Sequence, residues 1–221
     1  MKFFLVNFIK KGNKRMTGNG IDGIGDMQLD VLRELGNIGS GNAATALAKM
    51  LNQKIDIKVP TAELCEFHRL PQVVGGEETL VVGILLTLSE DIEGMMMFIM
   101  KRDAAYNLLE KLMWTEINKE EELNEMQLSC LQEIGNIITG AYLSSLSDMT
   151  RLTIQSSIPY LAMDMAGAIL SVPAIEFGKL GDRALMIEAE FGEDAQNEMG
   201  GYFLLMPTLE SYGAIMKSLG L

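Results

Sequence analysis

Between residues 27 and 51, apolar side chains recur at spacings of three and four. Leu32, Leu35, Ile38, Ala43, Ala46, Leu47 and Met50 fall on one broad side of a helical wheel, the pattern of a long helix with one face against a core. The pattern returns over 124–149. Asp26 has the side chain of an N-cap for the first of these helices. Elsewhere the period shortens. Runs near 54–59, 79–89 and 93–101 read as strands, as do runs near 151–157, 183–191 and 199–206. The run Gly94-Met95-Met96-Met97-Phe98-Ile99-Met100 has no polar side, so its strand is expected to be covered on both faces. Short helices are expected at about 103–113 and 209–219, and a short amphipathic helix over Leu161 to Leu170.

The order is helix, three strands, helix, written twice, and the repeat reaches individual residues. Leu32-Arg33-Glu34-Leu35-Gly36-Asn37-Ile38 is answered 99 residues on by Leu131-Gln132-Glu133-Ile134-Gly135-Asn136-Ile137. Gly94 to Met100, with Tyr106 and Lys111, returns 106 residues on as Gly200 to Met206, with Tyr212 and Lys217. The second copy therefore carries seven extra residues, placed between Pro159 and Gly200. The expected fold is α+β, a duplicated unit with pseudo-two-fold symmetry sharing a mostly antiparallel sheet. Units 27–113 and 124–221 are expected to form one domain over 26–221, behind a flexible extension, 1–25, for which Met16 and Met27 are alternative starts. Gly18, Gly20 and Gly23 in that extension spell GxGxxG. Charged and polar residues precede them, where a dinucleotide site needs a strand, so they are read as linker.

On the polar side of the first helix, Asp30, Glu34 and Asn37 lie at i, i+4, i+7, and Gly41 sits one turn above Asn37. Ser129, Glu133, Asn136 and Gly140 repeat that line on the second helix. A Glu and an Asn three apart are surface decoration when met once; two copies in register with a glycine one turn on are poorly explained by chance. Each glycine inside a helix costs roughly 1 kcal/mol relative to Ala. Close helix packing accounts for Gly36 and Gly39, whereas Gly41 and Gly140 on the outer side leave room beside the Asn carboxamide for a docking partner. Glu and Asn make neither a nucleophile with its base nor a metal cage. An Asn can fix a water's direction, and a Glu can pair with a lysine of an incoming protein. Phosphoryl transfer needs little more when the partner brings the metal and the leaving group.

Charge and composition narrow the partners. The formal net charge is -12 with no basic stripe, which disfavours nucleic acid and anionic membrane. No stretch is long and apolar enough to span a bilayer, and Phe3 to Ile9 is too short and too closely followed by Lys and Arg for a signal peptide. A cytoplasmic protein is expected. Its two cysteines, Cys65 and Cys130, suit a reducing compartment, and its single histidine, His68, excludes His-based triads and multi-His metal sites. The seventeen methionines read as adaptable core filling.

The residues at Asp30, Glu34, Asn37 and Pro60, and again at Ser129, Glu133, Asn136 and Pro159, match at full spacing the signature of the CheC/CheX/FliY phosphatase family, which this chain resembles over about 27–221. The doubled motif and the phrase Gly36-Asn37-Ile38-Gly39-Ser40-Gly41-Asn42-Ala43-Ala44-Thr45-Ala46 point to the CheC-type branch. CheX-like members usually have one site and dimerise. FliY-like members carry an added flagellar-switch domain, for which a chain ending at Leu221 has no room. The resemblance implies a phosphatase removing the aspartyl phosphate of a CheY-type chemotaxis response regulator. In it, Glu34 and Glu133 would pair with the regulator's lysine, and Asn37 and Asn136 would orient the attacking water. It implies no cofactor of the chain's own, Mg²⁺ carried by the phosphorylated partner, a monomer when alone, and stimulation by CheD, a receptor deamidase. CheD would dock on the helix expected over 161–170, at Asp164, Met165 and Ile169. The two prolines read equally as strand punctuation, Asp30 and Ser129 as supports of their glutamates or as solvated positions, and Asp164 as the wet edge of a core helix. Two other functions stay open on the residues: a binding module that chiefly regulates CheD, and a metallohydrolase using Asp30 and Glu34, for which no good ligand set is present.

Overall fold

The computed structural model describes residues 26–51, 57–58, 62–177, 183–191 and 199–220. The extension 1–25 with its GxGxxG, and Pro60, lie outside the described residues. In chain order the elements are α1 (Asp26–Leu51), β1 (Ile57–Lys58), β2 (Ala62–Glu66), a 3₁₀ turn (Phe67–Arg69), α2 (Leu70–Val73), β3 (Leu80–Glu90) and β4 (Gly94–Lys101). They continue with α3 (Arg102–Met113), α4 (Glu125–Thr150), β5 (Ile154–Ser156), β6 (Tyr160–Met165), α5 (Ala166–Phe177), β7 (Arg183–Phe191), β8 (Met199–Pro207) and α6 (Leu209–Ser218). The class is α+β, and every strand pair among the described residues is antiparallel.

The two long helices stand where the periodicity places them. α4 is closed at its start by a capping box: the Asn124 side chain accepts the Gln127 N–H at 3.0 Å, and the Gln127 side chain accepts the Asn124 N–H at 2.8 Å. Asp26, expected as the cap of α1, is instead its first helical residue.

The sheet runs in the order β1-β7-β8-β4-β3-β5, with β2 also on β7 and β6 also on β3. The middle is the β4–β8 pair, where Met97 faces Leu204 and Phe98 faces Phe203. Shifting by the repeat offset of 106 exchanges these two pairs, so a pseudo-two-fold axis passes between them. The edges are exchanged between units: β1 and β2 of the first copy pair with β7 of the second, and β5 and β6 of the second pair with β3 of the first. Among the described residues each unit thus holds four strand segments, not three. On one edge the register steps from Leu85↔Tyr160 to Leu88↔Ser156, and on the other from Ala62↔Ile187 to Lys58↔Glu190. In both, the edge carries one residue more than its partner, the geometry of a bulge. Pro159 lies in one interruption, and Pro60 stands in sequence between the two segments of the other. The interruption at Pro159 demands no backbone N–H donor of the ladder.

Both faces of the sheet are covered. On one, Leu35, Ala43, Leu47, Leu131, Ile134, Ile138, Tyr142 and Leu146 of α1 and α4 pack on Ile84, Leu86, Met96, Phe98 and Phe203. On the other, Met95, Met97 and Ile99 meet Phe67, Leu70, Ile169 and Leu170. Alternate residues of β4 therefore enter two different cores, as its continuous apolar run predicts.

Two expectations change. The helix expected over Leu161 to Leu170 begins only at Ala166, because the first half is strand β6, laddered along β3 from Tyr160 to Met165. The buried stripe of α1 is also narrower in side chain than expected. Leu35, Gly36, Gly39, Ser40, Ala43, Ala44 and Leu47 are buried, whereas Ile38 and Met50 are 37% and 40% exposed. Small residues on this stripe let the neighbouring helix and sheet come close.

Candidate functional site

α1 carries Asp30, Glu34, Asn37 and Gly41, and all four are exposed. α4 carries Ser129, Glu133, Asn136 and Gly140, and these are exposed as well. The helix repeat places each set on one line, and the cores under α1 and α4 hold the lines outward on the same side of the sheet. Among the described residues, no hydrogen bond or ion pair engages the side chains of Glu34, Asn37, Glu133 or Asn136. Two carboxylates and two carboxamides are thus presented with their hydrogen-bonding capacity open. A carboxamide oxygen can accept one proton of a water while its NH₂ donates to a second oxygen.

The glycines separate into two kinds. A Cβ on Gly39 would lie 2.6 Å from Cδ2 of Tyr142, and one on Gly135 would strike Ile84. A Cβ on Gly41 or Gly140 would meet nothing within 4 Å. The inner glycines are spaces already filled by neighbours. The outer pair are open ground one turn above each Asn.

The surroundings of the two lines differ. On α1, Arg33 Nη2 donates to Asp30 Oδ1 at 2.8 Å, so Asp30 is committed to its own helix and not to Glu34. On α4 the residue equivalent to Arg33 is Gln132, whose Nε2 donates to the Pro159 carbonyl at 2.7 Å. That bond ties the interruption of the sheet edge to the helix beside Glu133 and Asn136. The motif spacing brings Pro159 to notice, but nothing in the sequence marks Gln132 as its anchor.

The residues expected at a second docking surface are only partly together. Asp164 and Met165 are exposed at the end of β6, with Asp164 Oδ1 accepting the Met165 N–H at 2.8 Å. Ile169 is turned inward on α5, packed over Gly83 in the core, and does not share that surface. His68 lies exposed, with Nε2 3.5 Å from Glu66 Oε2. Cys65 is buried and Cys130 half-buried; burial pushes both thiols above their ordinary range, and for Cys65 the carboxylates of Glu63 and Glu66 push further while Arg69 opposes. Among the described residues, no three His, Cys, Asp or Glu side chains gather where they could hold a metal ion. No helix among them is long and apolar enough to cross a membrane.

Comparison with known proteins adds kinship to this geometry. The model of the CheC-like family matches residues 27–64, which hold Asp30, Glu34, Asn37 and Pro60. The model of the chemotaxis phosphatase CheX matches residues 82–176, which hold Ser129, Glu133, Asn136 and Pro159. The CheY-P phosphatase CheC of Bacillus subtilis (strain 168) is 36% identical over 202 residues, covering 90% of this chain and 97% of that protein. Among solved structures, Thermotoga maritima FliY superposes with a TM-score of 0.68 at 23% identity, over 89% of this chain and 99% of that one. A CheX-CheY-BeF3-Mg complex from Borrelia burgdorferi gives a TM-score of 0.51 at 17% identity, over 79% and 96%.

Proposed function

The chain belongs to the CheC-like family of chemotaxis phosphatases, and we propose that it is a CheY-P phosphatase whose chemistry resides in two copies of one site, Glu34 with Asn37 on α1 and Glu133 with Asn136 on α4. One observation carries this reading: the same Glu–Asn line, exposed and internally unbonded, stands on both long helices.

The phosphorylated regulator docks with its phosphoaspartate against the Asn. The Asn oxygen accepts one water proton and its NH₂ holds a neighbouring oxygen, which aims the water's lone pair at phosphorus in line with the acyl oxygen. The water O–P bond forms and the P–O bond to the aspartate breaks. The carboxylate leaves with the bonding pair, and the water's protons pass to the phosphate product and to solvent. Glu34 or Glu133 pairs with a lysine of the regulator and fixes the approach, a positioning role. The Mg²⁺ that neutralises the transferring group comes with the regulator, as part of the substrate. Gly41 and Gly140 leave the space into which the regulator's surface settles. Both sites sit on a single chain, so a monomer suffices. Asp164 and Met165, exposed together at the end of β6, serve as a contact for CheD, whose binding stimulates turnover.

The test follows the decay of a phosphorylated CheY-type regulator, after removal of the phosphodonor, with this protein at one-twentieth molar ratio, with and without CheD. Multiple-turnover decay is expected, and an Asn37→Ala/Asn136→Ala double variant should lose about a hundredfold, ~3 kcal/mol of barrier. A double variant at the wild-type rate would remove the site assignment. A stable CheD complex without turnover would make the chain a binding module.

A further inference from the structure

Ile158 is 79% exposed, yet the chain that carries it is held on both sides. Before it, the Ser157 N–H donates to the Thr87 carbonyl at 2.9 Å, and the Thr87 N–H donates to Ser157 Oγ at 3.1 Å. After it, Pro159 is buried and its carbonyl takes the 2.7 Å hydrogen bond from Gln132. An exposed isoleucine is ordinary at a loose loop tip and costs nothing that needs explaining. Here the backbone is fixed, and the place is specific. Gln132 immediately precedes Glu133 and stands one turn below Asn136, at i, i+4 on the same ridge of α4. Its hydrogen bond therefore lays Ile158-Pro159-Tyr160 along the flank of the second Glu–Asn line. Tyr160, 49% exposed, pairs with Leu85 and so turns its ring to the other face of the sheet, away from α4.

A protein that delivers a phosphoryl group to Asn136 must cover far more than two polar side chains. Specific interfaces bury about 800 Å² on each partner and centre on apolar or aromatic anchors inside a polar rim. The clamped Ile158 is an exposed apolar side chain of that kind, on a segment tied to α4 at the residue preceding Glu133. We infer that Ile158 is the apolar seat on which the phosphorylated CheY-type regulator binds at the second site, and that Gln132 positions the segment that carries it. The inference rests on the functional reading above and adds a partner-binding residue to it. At the equivalent place in the first copy the sequence has Val59, with a smaller side chain. The seat is accordingly a feature of the second site.

The experiment uses the full chain with the first site silenced by Asn37→Ala, and measures turnover against the concentration of phosphorylated regulator. Adding Ile158→Ser should raise KM about tenfold with kcat within about twofold, and Ile158→Val should restore most of the affinity. Trp114→Ser, which removes another exposed apolar side chain (77% exposed) far along the sequence at the end of α3, should leave KM unchanged. An unchanged KM for Ile158→Ser in an active parent would overturn this inference alone. Turnover by wild type but none by the Asn37→Ala parent would place the reaction at the first site and overturn it too. No turnover by wild type would overturn the functional reading and the inference together.

Discussion

Gly39 of α1 and Tyr142 of α4 meet so closely that a Cβ on the glycine would lie 2.6 Å from the ring's Cδ2. The ring is not free to step aside. It is buried and stacks on Phe203 with centroids 5.7 Å apart and planes 16° apart, and Phe203 packs on Phe98 at 4.8 Å. One turn further on, Asn42 Nδ2 donates to Ser145 Oγ at 2.8 Å. The helices that carry the two Glu–Asn lines are locked to each other and to the centre of the sheet, where the pseudo-two-fold axis passes.

Gly39→Ala should therefore destabilise the fold. Helix propensity favours the substitution by roughly 1 kcal/mol, but overpacking against a buried ring costs about 1–3 kcal/mol. The expected net loss is up to about 2 kcal/mol, and for a chain of this size each kcal/mol lowers Tm by about 2–4 °C. Thermal unfolding followed by circular dichroism measures it. A Tm at or above the parent's would mean that the ring finds another rotamer.

The outer glycines should behave in the opposite way. Gly41→Ala and Gly140→Ala meet no neighbour, so each should stabilise by up to ~1 kcal/mol. The Gly41→Leu/Gly140→Leu double variant should stay folded and lose about tenfold or more in turnover, because the larger side chain occupies the docking space. A double variant that turns over normally would show that these glycines do not border the partner.

Much of this was readable from the chain. The repeat of Glu34 and Asn37 as Glu133 and Asn136 needs only local period and spacing, and so do the helices that carry them. Kinship to the family was carried by the same residues. What the sequence could not show depends on contacts between distant segments. Nothing local says that β2 pairs with β7 of the other copy, since either edge would satisfy its backbone. Leu161, Met163 and Met165 alternate while Leu161, Met165 and Ile169 keep a helical period, and only the presence of β3 decides for a strand as far as Met165. Ile38 reads as core because it is apolar, but the real stripe runs through Gly36, Gly39 and Ser40, whose smallness is invisible to a hydrophobic count.

Replacing both glutamates should separate docking from chemistry. Glu34→Gln/Glu133→Gln keeps the shape and removes the charge, so KM for the phosphorylated regulator should rise several-fold with kcat little changed. Its dependence on salt should weaken at the same time, since charge pairs across an interface act on encounter and register. Turnover measured at two ionic strengths reads both effects. A fall in kcat at unchanged KM would instead put the glutamates in the chemical step.

The stacked ring also fixes how the fold responds to alkali. Burial drives the Tyr142 phenol well above the ordinary tyrosine range, and burial raises Tyr212 as well. A group whose pKa is raised in the folded state keeps its proton there after the unfolded chain has lost it. Above the unfolded value, about 10 for tyrosine, the unfolded state binds fewer protons, and stability falls as pH rises at up to ~1.4 kcal/mol per pH unit for each such group. Below that pH the contribution is constant. Cys65 and Cys130 add the same sign of effect from the ordinary thiol range upward, because burial raises them too. Tyr142→Phe keeps the ring on Phe203 and removes the titrating hydroxyl. Its Tm should match the wild type near pH 8 and exceed it increasingly above pH 10. Parallel Tm curves for the two proteins from pH 8 to 11 would show that the phenol reaches solvent and ionises without unfolding the chain.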